Sequence, residues 1–153
     1  MSDFAIDRRY DVVLCLFSSI GYLVTLARVR AAFECFRNHL APGGIVMVEP
    51  WFAPGVLDPS RTARDIGETG GIRVDRFSRV EVEGRLSRLY FEYRIEQDGK
   101  TQHATEIHEL GLFTPEEMGA TFTEAGLTAQ FDPVGLTGRG LWVARVATSP
   151  TSS

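Results

Sequence analysis

Lysine is scarce. Lys100 is the only lysine, arginine supplies the other positive charges, and the 153 residues carry a formal net charge of −4. No basic field is therefore available to hold nucleic acid or an anionic membrane surface by charge alone. There are two cysteines, Cys15 and Cys35, with no C-x-x-C and no Cys/His spacing of a metal centre. They read as two buried reduced thiols. The apolar run at 12–17 is too short to span a bilayer. Asp3 and Asp7 precede any apolar run, which is not the pattern of a signal peptide, so the expected location is the cytoplasm. Internal repeats are absent, and the polar tail at 148–153 is expected to be disordered.

What is present is an ordinary globular composition, 44% hydrophobic and 24% charged, enough for one domain with a core of useful size. Tyr10 to Phe17 is continuously apolar apart from Asp11, which suits a strand buried on both faces of a parallel sheet. Ser18, Ser19 and Gly21 break it. From Leu26 apolar residues recur at Val29, Ala32, Phe33, Phe36 and Leu40, one stripe of a helix for which Thr25 is a plausible cap. Ala41-Pro42-Gly43-Gly44 ends that helix and turns the chain into a second buried strand, Ile45 to Glu49. Strand, helix and strand in this order form a βαβ unit. His39, just before the turn, reads as a charge partner for the helix C-terminus.

After Trp51 the prolines and glycines between Pro50 and Gly71 mark a long irregular loop. Alternating stretches at 72–82 and 85–97, a turn at Asp98-Gly99-Lys100 and a partner strand from Thr101 to Phe113 predict an antiparallel sheet. Thr114-Pro115-Glu116-Glu117 is a helix start with a capping box. Met118, Phe122 and Ala125 are its buried stripe and Gly126 its end. Two further strands, 127–131 and 141–146, join in hairpin fashion through 135–140. The fold class is α/β: a partial Rossmann-like sheet with an additional antiparallel sheet at about 72–113, in one unit over 1–147.

Four stretches narrow the reading. Ser18-Ser19-Ile20-Gly21-Tyr22-Leu23, Glu49-Pro50-Trp51, His108-Glu109-Leu110-Gly111-Leu112-Phe113-Thr114 and Gly138-Arg139-Gly140-Leu141 follow one another in order. With the element order, they make nearly all of 3–147 resemble the class I S-adenosylmethionine-dependent methyltransferases, from the fourth strand of their sheet to its end. Within that class the similarity is to deoxyamino-sugar N,N-dimethyltransferases of the desosamine type, which methylate the amine of nucleotide-linked sugars. The resemblance implies S-adenosyl-L-methionine as cofactor and a small-molecule acceptor. Leu16, Phe17 and Ser18 would lie along the cofactor, and Ser18, Ser19 and Tyr22 would face the methyl-transfer site. The antiparallel sheet would pair subunits into a homodimer. The family's glycine-rich cofactor turn, and the acidic strand end that holds the ribose, have no counterpart in these residues. The expectation is that this chain alone binds the cofactor weakly.

Methyl transfer is an in-line displacement in which the sulfonium brings the electrophile, leaving the protein to align a neutral amine and exclude water. Ligands bind at the carboxyl ends of parallel strands in such sheets, where Leu16 to Ser19 and Glu49 fall. Glu49 beside Trp51 could hold an amino sugar, or could pair with an arginine as framework. His108 is a candidate base or hydrogen-bonding group, with a packing role as its alternative. His103 lies five residues from it on one strand, on the opposite face, so the two cannot share a metal. Arg139, between two glycines, could grip a nucleotide phosphate; the alternative is that the glycines only shape a turn. The charged pattern at 73–96 reads as a solvated face. Two functions compete: a methyltransferase acting on an amine, and a non-catalytic, dimerising remnant.

Overall fold

The computed structural model describes residues 1 and 3–147; the tail at 148–153 lies outside the described residues. Two four-stranded sheets carry the molecule. The first has the order β1-β2-β8-β7, from β1 (Tyr10–Cys15), β2 (Leu40–Val48), β7 (Leu127–Asp132) and β8 (Leu141–Val146). β1 and β2 are parallel, with Cys15 opposite Val48, and β8 runs antiparallel to both its neighbours. This is the βαβ unit and closing hairpin that the sequence predicts.

Helices α1 (Leu26–Asn38) and α2 (Pro115–Glu124) cover one face of this sheet. Thr25 caps α1, its hydroxyl accepting from the Arg28 N–H at 3.4 Å. Thr114 and Glu117 close a capping box on α2. Phe33 and Phe122 stack face to face at 3.8 Å between the helices, both without solvent exposure. Arg37 reaches from α1 to the Ala125 carbonyl at 2.8 Å and so satisfies the C-terminus of α2.

Three expectations about this first sheet and its helices change. β1 is open on the opposite face: Val12 and Leu14 are 47% and 57% exposed, so β1 is buried on one face only. Pro42-Gly43-Gly44 does not turn the chain. α1 already ends at His39, and β2 begins at Leu40, paired with Tyr10 before the register jumps to Val12 opposite Ile45. Residues 41–44 form a bulge, with Gly43 at φ 80° and Gly44 so close that a Cβ would meet the Tyr10 carbonyl at 3.0 Å. His39 is not a charge partner of the helix end. One ring nitrogen donates to the Cys35 carbonyl at 2.7 Å and the other accepts the Ile6 N–H at 2.9 Å, a pattern only the neutral ring satisfies.

The second sheet has the order β3-β4-β5-β6: β3 (Thr62–Thr69), β4 (Ile72–Glu83), β5 (Leu86–Gln97) and β6 (Lys100–Gly111), all antiparallel. β3 occupies the stretch expected to be an irregular loop. Two-residue turns join the strands at 70–71, 84–85 and 98–99. Gly70 and Gly71, at φ 55° and 79°, supply the positive angles such turns require.

Candidate active site

The carboxyl ends of β1 and β2 lie side by side, joined by the Glu49 N–H to the Cys15 carbonyl at 2.9 Å. Beyond β1 the chain is strained. Phe17, Ser18 and Val24 take φ values of 54°, 58° and 63°, the last in a β-branched residue. Between Ser18 and Val24 runs a single 3₁₀ turn, Ser19–Leu23. Such positions cost about 1–3 kcal/mol each and persist only where the surroundings hold them.

Glu49 holds much of this corner. It is 1% exposed. One carboxylate oxygen accepts the Phe17 N–H at 2.7 Å, and the other accepts the Thr137 hydroxyl and Arg139 at 3.3 Å. Burial pushes this carboxyl up, but the Thr137 and Phe17 hydrogen bonds and the Arg139 charge outweigh it and hold the group below the usual glutamate range. Ser18 is also 1% exposed, its hydroxyl donating to the Pro50 carbonyl at 2.8 Å. Ser19 turns back onto the Leu16 carbonyl at 2.6 Å. The Phe17 ring is 81% exposed and Leu16 is half-buried. Burial pushes the Cys15 thiol up to about 11, so this residue beside the corner is a packing group and not a nucleophile. Both cysteines are free and buried, as expected.

Trp51 links the first sheet to the second. Its indole N–H donates to Ser87 at 2.9 Å, and the Ser87 hydroxyl donates in turn to the Leu110 carbonyl at 3.1 Å. The 3₁₀ turn packs into this junction through Gly21, where a Cβ would come within 3.2 Å of Trp51 and Leu110. The close approach puts Tyr22 against β6. Its hydroxyl lies 2.5 Å from His108 Nδ1, and His108 Nε2 lies 3.2 Å from Glu106. Tyr93 also donates to Glu106, at 2.9 Å.

On the other side of Trp51 is a cleft of about 350 Å³ lined by Arg61, Arg76, Arg139, Trp51 and Phe52; Arg79 borders it too, but strand alternation sends its guanidinium to the opposite face, 3.7 Å from the Tyr90 ring centroid. Asp65, Glu81 and Glu49 pair with Arg76, Arg79 and Arg139 respectively. Arg76 and Arg139 each retain a buried Nε with no hydrogen-bond partner among the described residues. The sequence singles out Arg139 but not Arg61, Arg76 or Arg79. Strand alternation puts Arg76 on the same face of the second sheet as Ser78 and Val80, with both of which it lines the cleft, and that period was the available signal. The structure thus gathers Phe17, Ser18, Glu49 and Arg139 into one corner. Trp51 stands beside it, and Tyr22 and His108 form a hydrogen-bonded pair across the junction.

No family model matches the chain. Among curated proteins it is 41% identical over 143 residues to the dTDP-3-amino-3,6-dideoxy-alpha-D-glucopyranose N,N-dimethyltransferase of Streptomyces fradiae, covering 93% of this chain and 56% of that one. It is 37% identical over 144 residues to the dTDP-3-amino-3,4,6-trideoxy-alpha-D-glucopyranose N,N-dimethyltransferase of Streptomyces venezuelae, covering 94% and 61%. Among solved structures, Streptomyces venezuelae DesVI superposes with a TM-score of 0.90 at 36% identity, over 96% of this chain and 62% of that one. CalS10 from Micromonospora echinaspora, an amino pentose methyltransferase solved with S-adenosylmethionine bound, does so with 0.82 at 34%, over 94% and 61%. The chain spans roughly three fifths of the length of these relatives. Over more than nine tenths of its own length, this chain is therefore a relative, in sequence and in fold, of the dTDP-amino-sugar N,N-dimethyltransferases.

Proposed function

We propose that this polypeptide supplies the acceptor side of an S-adenosylmethionine-dependent methyltransferase acting on the amine of a nucleotide-linked sugar. The arginine-lined cleft carries the reading. The guanidinium groups of Arg76 and Arg139, beside the half-buried rings of Trp51 and Phe52, suit a diphosphate joined to a planar base. The cleft opens beside Trp51, on whose other side stand Tyr22 and His108. A sugar attached to a diphosphate in the cleft would extend toward that pair.

In this reading Tyr22 and His108 face the acceptor, and Trp51 and Arg139 hold it. Leu16 and Phe17 lie along the cofactor, which supplies the methyl group as a sulfonium. Glu49 and Ser18 are framework, because their polar atoms are engaged inside the protein. The two free buried thiols support a cytoplasmic setting. Among the described residues no helix is long and apolar enough to cross a membrane.

Titration of the purified chain with thymidine diphosphate tests the cleft. Saturable binding is expected, and Arg139→Ala should weaken it about 10-fold or more, the scale of one hydrogen bond between charged groups. Absence of binding at millimolar nucleotide would remove the ground for the reading. Methyl transfer from labelled cofactor to a dTDP-amino sugar tests the activity itself.

We also propose a homodimer formed through the outer face of the second sheet. Ile66, Phe77 and Ile107 share that face and are 52%, 38% and 62% exposed. Light scattering should give twice the chain mass, and Phe77→Glu should halve it. A monomer at high concentration would count against this arrangement.

A further inference from the structure

The methyltransferase reading assigns Tyr22 and His108 to the acceptor but leaves Glu106 without a task. We infer that Glu106 is a positioning residue for the acceptor amine, acting through His108 and Tyr22. Three hydrogen bonds from three separate elements carry this. The Tyr22 hydroxyl of the 3₁₀ turn meets His108 Nδ1 at 2.5 Å, His108 Nε2 meets Glu106 at 3.2 Å, and Tyr93 of β5 donates to the same Glu106 oxygen at 2.9 Å. Two aromatic rings fix the imidazole between them: Phe91 stands edge-on at 5.1 Å and Tyr22 tilts against it at 5.8 Å.

A carboxylate only accepts, so Glu106 draws the imidazole proton to Nε2. Nδ1 is then a lone pair, and the Tyr22 O–H must donate to it. The remaining lone pairs of the phenol oxygen face outward, as an acceptor for one N–H of the substrate amine. That contact leaves the nitrogen lone pair free to point along the methyl–sulfur axis. Nitrogen attacks the methyl carbon, the carbon–sulfur bond breaks with its electrons passing to sulfur, and the methylated ammonium later gives its proton to water. The other tautomer reverses the sense of the contact. With the proton on Nδ1, His108 would donate to the phenol oxygen and Tyr22 would swing its O–H outward. A donor there would tie up the lone pair that has to react. Burial plays little part in this chain of contacts. The hydrogen bonds from His108 and Tyr93 hold the Glu106 carboxyl below its ordinary range, which keeps it an acceptor at neutral pH.

Nitrogen-15 spectra of the His108 ring in the full chain, assigned with His108→Gln, test the tautomer directly. The Nε2–H form is expected in the wild type, with a shift toward Nδ1–H in Glu106→Leu. Glu106 is half exposed, so that variant should keep its fold. In methyl-transfer assays Glu106→Leu should lower kcat up to about 100-fold with KM little changed, as expected of lost orientation, and Glu106→Asp should restore part of it. An Nδ1–H ring in a wild-type chain that transfers methyl groups would overturn this role alone. A variant with unchanged kcat would do the same. An Nε2–H ring in a chain that binds no dTDP-amino sugar would overturn the acceptor-side reading, and with it the amine as what Tyr22 orients.

Discussion

Glu49→Leu should destabilise the chain by about 3–5 kcal/mol, the range for removing one partner of a buried ion pair. The effect is large because a single carboxylate joins three segments. It accepts from Phe17 beyond β1, from Thr137 and Arg139 in the hairpin between β7 and β8, and sits itself at the end of β2. Leucine matches its bulk but leaves the Phe17 N–H and the Arg139 guanidinium buried without an acceptor. It also releases the strained backbone at 17–18. Glu49→Gln keeps an acceptor oxygen and should cost less. The two variants separate charge from hydrogen bonding in thermal or urea unfolding. The pH dependence has a definite sign. The folded protein holds this carboxyl below its ordinary value, so its stabilisation is complete above the usual glutamate range and is lost as pH falls through the folded value. Glu49→Gln should therefore flatten the acid side of the stability profile. Glu117, held low by its cap and by Arg85, should leave a residual acid sensitivity. An acid limb identical in the wild type and Glu49→Gln would show that Glu49 carries no pH-dependent stability.

What the sequence revealed, and what it hid, follows from how local each signal is. The α2 start needs four consecutive residues, Thr114 to Glu117, whose side chains bond to their own backbone, and it is legible in full. The Thr25 cap and the Asp98-Gly99 turn are legible for the same reason. β3 was hidden because all eight of its residues are exposed, so no apolar alternation marks it. The Gly70-Gly71 pair was its only local sign. The start of β2 was misread because Pro42-Gly43-Gly44 serves a bulge as readily as a turn, and only the pairing of Tyr10 with Leu40 decides between them. The open face of β1 depends on what packs nearby, which a run of six apolar residues does not contain. At the site, Glu49, Tyr22, His108 and Arg139 each stood out as residues. Their partnerships did not, since Tyr22 and His108 are 86 positions apart and Glu49 and Arg139 are 90 apart. Glu106 sat in a charged strand and looked like any solvated carboxylate.

Trp51→Ala should separate the two sheets functionally as well as cost stability. The indole is half-buried, so about 3 kcal/mol is expected, the low end for truncating a large aromatic. In a chain of this size that lowers Tm by roughly 6–12 °C. The functional loss should be greater than the stability loss. Trp51 stands between the corner held by Glu49 and the second sheet, bonded to Ser87 on one side and facing the Arg139 guanidinium at 5.7 Å on the other. Its Cβ also lies where Gly21 brings the 3₁₀ turn into contact with Leu110. Truncation removes a wall of the arginine cleft and loosens the support that holds Tyr22 near His108. Trp51→Phe isolates the contributions. It keeps a ring against Arg139 and Gly21 but loses the N–H donor. Ser87 can still donate to Leu110, so only about 1 kcal/mol should be lost. Thymidine diphosphate should bind Trp51→Phe nearly as well as the wild type and Trp51→Ala poorly or not at all. Equal binding by all three would mean that the cleft needs only its arginines, and that the two sheets are held in register without the indole.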